Sequence, residues 1–255
     1  IAKIDSLMVA ALLGLAPVAI YTTSSYMATV IEVPKRAMTQ VASPLIARGF
    51  EKNNHSEIKS IYQKTALNQF IFGTLLLIGV SANLDSIFML MPKGEIYQAG
   101  KWVVIIVGMG KLVDMLFGPS SEIIIYSKYY SFNIVLILIL SAVIITSNNL
   151  LIPRYGIEGA AMGTAITMIV FNSVKFIFIW AKMDLQPFSG AFIKVLLIGV
   201  MSAFIGMNLP RFESVLLDMV VRSGVITVAF VVPIIIFKVS PEGNILLTRI
   251  LKFIR

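Results

Sequence analysis

"IVLILILSAVII", residues 134–145, decides the fold class. Only Ser141 among these twelve residues is polar. A strand crossing a membrane alternates apolar and polar residues over about 10 positions. A helix on the surface of a soluble protein keeps one polar face. This stretch has neither pattern. It is apolar all round, so it reads as a helix immersed in lipid. "ITVAFVVPIIIF", residues 226–237, has the same character.

Working outward, further apolar stretches follow one another with short polar breaks. About 20 predominantly apolar residues are needed to cross a hydrocarbon core about 30 Å thick. Candidate segments run from Ile1 to Leu13 (partial), Val18 to Ala47, Thr65 to Ala82, Lys101 to Ile125, Phe132 to Leu150, Gly159 to Ala181, Ala191 to Asn208 and Val215 to Phe237. The breaks "GLAP", "NNLLIPRYG", "DLQPFSG" and "NLPRF" carry the Gly, Pro and Asn of connecting turns. The fold class expected is all-α: a polytopic membrane bundle of seven or eight helices over residues 1–238. Residues 239–255 are expected to form a separate amphipathic helix. Its "PEGNILLTRILKFIR" alternates aliphatic residues with Arg249, Lys252 and Arg255, as suits the surface of an anionic leaflet. "NLDSIFMLMPKGEIYQAGK", residues 83–101, is too short and too polar to cross, and is expected to be a short external helix or a re-entrant segment.

Composition agrees. Of the 255 residues 58% are hydrophobic and 13% charged, and the mean hydropathy is +0.90. Soluble domains are about 45–50% apolar and about 25% charged. The net charge is +8. One set of connecting segments holds eleven of the 21 Lys and Arg, among them Arg48, Lys52, Lys128 and Lys182; the other set holds five. That asymmetry makes the first set, and the C-terminus, cytoplasmic. The remaining five (Lys3, Lys35, Arg36, Lys111, Lys175) fall inside the spans. No surface interleaves basic and aromatic residues as a nucleic-acid site does. With no cysteine, thiol chemistry and Cys-ligated metals are excluded. The single histidine, His55, sits in the polar run "EKNNHSEIK" and reads as a solvated loop residue. No His/Cys/Asp/Glu cluster has metal-ligand spacing, and no nucleotide-binding glycine motif is present, so no cofactor is expected. The chain opens "IAKIDSLMVAALLG", with an apolar segment already under way and neither a basic n-region nor a clear cleavage site, so an N-terminal portion is expected to precede it.

The candidate site residues are charges at membrane depth, where each costs about 2.5–3.5 kcal/mol. "VIEVPKRAMTQ", residues 30–40, sets Glu32 three and four residues before Lys35 and Arg36, with Pro34 expected to kink the helix. "GMGKLVDMLFG", residues 108–118, sets Lys111 three residues before Asp114, among small residues that permit close helix approach. Asp5 is a third acid at depth. Two readings stand side by side. Glu32 with Lys35 and Arg36, and Lys111 with Asp114, are self-neutralising pairs that lock helices; or Lys35, Arg36 and Lys111 line a cationic cavity, with Asp5, Glu32 and Asp114 available for ion coupling. Glu122 and Lys175, nearer the cytoplasmic ends, are expected to snorkel.

"GLAPVAIYTTSSYMATVIEVPKRAMTQVASPLIARGFEKNN", residues 14–54, and "NNLLIPRYGIEGAAMGTAI", residues 148–166, resemble the C-terminal half of Wzx-type polysaccharide flippases of the multidrug/oligosaccharidyl-lipid/polysaccharide exporter superfamily. "IPRYGIEGAAMGT" (Ile152–Thr164) and "SPLIA" (Ser43–Ala47) carry most of the likeness. The resemblance implies a two-lobed transporter of about fourteen helices that works by alternating access. This chain would be its second lobe, with an N-terminal lobe as partner. The implied cargo is a lipid-linked oligosaccharide on an anionic polyprenyl diphosphate, carried across a bacterial inner membrane for cell-surface polysaccharide. A multidrug exporter of the same superfamily is the alternative. A membrane glycosyltransferase fits worse: the external charges Asp85, Lys93, Glu95 and Lys101 show no paired-acid spacing, so no enzyme is expected.

Overall fold

The computed structural model describes residues 2–240, all of whose regular structure is helical. The elements are α1 (Ala2–Leu13), α2 (Leu15–Thr29), a 3-10 turn (Val30–Glu32), α3 (Val33–Glu51), α4 (His55–Leu90), α5 (Gly94–Tyr97) with a 3-10 turn (Gln98–Gly100), α6 (Lys101–Leu116), α7 (Ser120–Tyr126), α8 (Phe132–Met183), α9 (Ala191–Met207) and α10 (Val215–Ile236). Among the described residues α4, α8 and α10 are each long and apolar enough to cross a membrane. A fourth span results if Gly94–Leu116 and Ser120–Tyr126, bent by 47°, are one broken helix. α9 and the apolar part of α1 are shorter. The C-terminal amphipathic stretch from Pro241 onward lies outside the described residues. Just before it, beyond the end of α10, Val239 is buried in the core and the Ser240 hydroxyl is 2.8 Å from Asn68 Oδ1.

Three breaks in the helices follow from sequence. The expected kinked helix over Val18–Ala47 is divided: α2 ends at Thr29, a 3-10 turn intervenes, and Pro34 sits in the first turn of α3, where no backbone N–H is needed. Gly118 (φ 57) and Pro119 separate α6 from α7. α8 is two helices joined at Gly156, whose φ 58 and ψ −136 are not helical. The two arms fold back on each other. Asn148 meets Gly163, and Leu151 meets Gly159 so closely that a Cβ there would collide with the Leu151 carbonyl.

One expected boundary moves. Residues 83–90 do not form a separate external segment but continue α4, because their polar groups find partners. Asn83 Nδ2 donates to Gly79 O at 2.7 Å and to Ser223 Oγ at 3.2 Å. Asp85 meets Lys101 at 2.5 Å and Arg211 at 2.9 Å. The short external helix shrinks to α5 and its turn.

The packing has three apolar cores. One lies between α4, α9 and α10, and includes Phe70, Phe192 and Phe230. A second joins α1, α2, α4, α6 and the Gly156 end of α8. A third joins α3, α4, α7 and the far ends of α8. The distribution of polarity is inverted relative to a soluble protein. Asp5, Gln69, Asn148, Lys175 and Arg222 are buried, while Leu15, Phe204 and Val220 are among many large hydrophobics facing outward. In lipid such outward faces cost nothing, and helices associate through close packing and polar contacts.

Candidate functional site

The polar centre starts at the 3-10 turn. α6 approaches it on glycines: a Cβ on Gly108 would stand 2.7 Å from Ile31 Cδ1 and 2.9 Å from Leu77 Cδ1. Two residues on, Gly110 lies against α8, where a Cβ would be 3.2 Å from Ala165 Cα. This fit lays α6 alongside α2 and the turn, running in the same direction, so that its far end reaches the first turn of α3.

In that register the charges cross between helices. Lys111 Nζ lies 2.5 Å from Glu32 Oε2, and Lys35 pairs with Asp114. This corrects the expectation of pairing along each helix for Lys111 with Asp114 and for Glu32 with Lys35. Glu32 keeps one local partner, Arg36, whose Nε is 3.6 Å from Oε1. The physical reason is sign order. The first element reads acid, then base three residues later; α6 reads base, then acid at the same spacing. Two parallel helices in register then place opposite charges face to face. Lys111 is the most enclosed of the four crossed groups, at 11% exposure, and Arg36 opens outward at 68%. α4 adds Gln69, fully buried, whose amide donates to Thr39 Oγ1 at 3.1 Å.

Asp5 forms a second polar group, from α1, α2 and both arms of α8. Asn148 Nδ2 and Thr164 Oγ1 each donate to its carboxylate at 2.8 Å, and the Tyr21 hydroxyl lies 3.3 Å from Thr164 Oγ1. Among the described residues this buried acid is thus met by an amide and a hydroxyl, whereas Glu32 and Asp114 are met by cations. A cavity of about 450 Å³ joins the two groups: Asp5, Tyr21, Ser25, Thr164 and Lys111 all line it. Leu7, Val107 and Met168 make it partly apolar. Of the three cations expected in a cavity, Lys111 is in this one. Lys35 and Arg36 lie beside it, tied to Asp114 and Glu32.

Lys175 departs from expectation. It does not snorkel: it is 2% exposed, donates to Ser121 Oγ at 3.0 Å, and its ammonium lies 4.3 Å from the centroid of the Phe171 ring. It is close enough to Asp114 for the two charges to interact, which extends the row of charges from Arg36 into α8. Sequence reading placed it near a helix end by counting residues. The bend between α6 and α7 brings Ser121 over it and closes its route outward.

The residues missed by sequence reading are the neutral ones, Tyr21, Asn148 and Thr164. The only signal for them was polarity at positions where the surrounding helix is apolar. Among the described residues no three His, Cys, Asp or Glu gather as a metal site. No protein family, curated protein or solved structure matches the chain.

Proposed function

We propose that the chain is one lobe, of seven or eight spans, of an inner-membrane transporter that carries a lipid-linked oligosaccharide across the bilayer by alternating access. In this reading its C-terminus is cytoplasmic and a second lobe completes the path. The observation that carries it is the crossed set Glu32–Lys111 and Asp114–Lys35 beside the Asp5 cavity, in a body whose outer surface is apolar. Charge at this depth exceeds what anchoring requires. The resemblance of residues 14–54 and 148–166 to polysaccharide flippases supplies the cargo class.

The crossed pairs supply a way to move. Glu32 already touches two cations, Arg36 through Oε1 and Lys111 through Oε2. An anionic diphosphate entering the cavity takes Lys111, and Arg36 keeps Glu32 neutralised. Removing one partner of a buried pair outright costs about 3–5 kcal/mol. Exchange of partners avoids most of that cost. Asp5, met by an amide and a hydroxyl among the described residues, is the acid best placed to take a coupling proton.

A second reading, export of cationic drugs, is favoured by Asp5 and by the apolar share of the cavity lining. The experiment that separates the two replaces Lys111 and Asp5 singly, by Gln and Asn, in the full-length protein. Delivery of lipid-linked oligosaccharide is assayed with protein abundance in parallel. Loss of delivery of about tenfold or more at normal abundance in Lys111→Gln supports the flippase reading. Unchanged delivery in Lys111→Gln, with drug efflux lost in Asp5→Asn, overturns it in favour of the exporter.

A further inference from the structure

A cavity of about 650 Å³ opens where four helix ends meet: the last turn of α3, the first residue of α4, the end of α7 and the last turn of α8. It shares no lining residue with the Asp5 cavity. Its charged lining is basic: Lys128, Lys182 and His55, with Glu51 as the one acid among the described residues. Phe50, Tyr126 and Tyr129 supply aromatic walls.

The walls are set before any ligand arrives. The α3–α4 turn is tight because Gly49 packs on Ile58, where a Cβ would stand 2.6 Å from Cγ1, and Asn53 takes the left-handed conformation at φ 52. Ser127 is buried. Its Oγ donates to Ile124 O at 2.9 Å and accepts the Tyr129 N–H at 3.1 Å, which fixes the turn carrying Lys128. The Tyr129 ring stands edge-on to Phe178 at 5.5 Å, and Phe178 stacks on Phe132 at 3.8 Å. The Lys128 ammonium lies 5.2 Å from the centroid of the Tyr129 ring.

We propose that this basic, aromatic-walled cavity binds the phosphate headgroup of an anionic amphiphile lying in the leaflet at the Lys/Arg-rich end of the bundle. Three arguments converge on that chemistry. Two ammonium groups and an imidazole against one carboxylate select an anion. The lining residues Ala47, Tyr126 and Lys182 stand at the ends of the apolar stretches Val18–Ala47, Lys101–Ile125 and Gly159–Ala181, so its mouth is where hydrocarbon meets water. Tyrosine and lysine are the side chains that sit at that boundary. A phosphate with an acyl or prenyl tail satisfies all three, with its head among the lysines and its tail along the outward apolar faces. The ligand can be a resident phospholipid or a polyprenyl phosphate on its way to transport. The proposal does not depend on the transport reading.

The test uses full-length protein in nanodiscs of mixed phosphatidylglycerol and phosphatidylcholine, with bound lipid counted by native mass spectrometry. Lys128→Gln/Lys182→Gln removes the site. Lys52→Gln/Lys59→Gln removes the same charge from exposed positions on the same end. Each lysine that touches the phosphate gives it a charge-assisted bond that an exposed lysine outside the cavity does not, so the site variant is expected to retain phosphatidylglycerol at least about tenfold less well. The control variant and Lys128→Arg/Lys182→Arg stay close to the unsubstituted protein. Equal loss in site and control variants, or equal retention of phosphatidylglycerol and phosphatidylcholine, overturns the proposal. So does displacement by inorganic phosphate as effective as by lipid phosphate, since it would show a free-phosphate site. Displacement by added polyprenyl phosphate identifies a cargo-entry site; resistance to it identifies a resident phospholipid. Either result supports a headgroup site.

Discussion

Two halves of the molecule bury charge in opposite ways. In the unit of α4, α9 and α10 the interior is apolar, with Phe70 and Phe192 at 5.5 Å and Phe230 fully enclosed. Its buried ion pair, Asp218–Arg222 at 3.0 Å, is closed within α10 at i,i+4, while at the rim the exposed Arg211 reaches Asp85 of α4 at 2.9 Å. The Arg222 guanidinium spends its remaining donors on the end of α9, giving Gly206 O a bond at 2.5 Å. Every partner of Arg222 is local or a backbone carbonyl, so this buried pair acts as a strut. In the half built from the 3-10 turn, α3 and α6, the ion pairs cross between helices, and Glu32 holds a local substitute ready in Arg36. A charge with a single partner set resists motion. A charge with two partner sets permits motion without passing through a bare buried ion.

The contrast can be broken or sharpened by substitution. Phe230→Ala is expected to have the largest effect on folding, a loss of about 3–5 kcal/mol read by thermal unfolding in detergent, with transport per folded molecule unchanged. A fall in specific transport would mean that the apolar unit also takes part in the motion. Glu32→Lys and Lys111→Glu, made singly, are each expected to cost about 3 kcal/mol, because each leaves a partly buried charge opposed by its like. Combined, they restore the crossed pair but set each new charge beside like charges on its own helix. Stability should return and transport should not. If both return, partner exchange is unnecessary and the pairs are struts as in α10.

Asp5→Asn is expected to cost about 1–2 kcal/mol, because the amide replaces a charged acceptor by a neutral one. Residual transport in that variant should lose its sensitivity to ionophores that collapse the proton gradient. Retained sensitivity would move the coupling acid elsewhere. Lys175→Met is expected to have the smallest effect, within about 1 kcal/mol and of either sign, because an apolar side chain of similar length fills the same space beside Phe171 without desolvating an ammonium. A drop in transport without a drop in stability would add Lys175 to the working row of charges.

How far these features can be read ahead depends on whether their cause is local. The helical class follows from stretches such as residues 134–145, since a backbone in lipid must satisfy its own hydrogen bonds. The fold-back at "IPRYG" and the breaks at Pro34 and Gly118–Pro119 depend on one or two residues whose backbone preferences are intrinsic. These are legible, and so is the list of charges set within apolar stretches: Asp5, Glu32, Lys35, Arg36, Lys111 and Asp114 all stand at or beside the polar centre. The pairing among them is not legible from spacing within one helix. Spacing says which groups share a face; it does not say which face meets which neighbour.

The sequence by itself therefore determined the helical class, the breaks at glycine and proline and six of the charges that gather at the polar centre, because each rests on local backbone chemistry or on the cost of polarity in hydrocarbon; it did not show that Lys175, Asp218 and Arg222 are buried. Only the tertiary structure decided which charges meet. Gly108 against Ile31 sets the register of α6 on the 3-10 turn and Gly110 against Ala165 sets it on α8, contacts between residues far apart in the chain. That register brings Lys111 to Glu32 and Lys35 to Asp114; the fold-back of α8 at Gly156 brings Asn148 and Thr164 together over Asp5, and the bend at Gly118–Pro119 brings Ser121 to Lys175. Ion pairing acts over a few ångströms, so shifting one helix by a turn against its neighbour re-partners the whole row while leaving each helix unchanged.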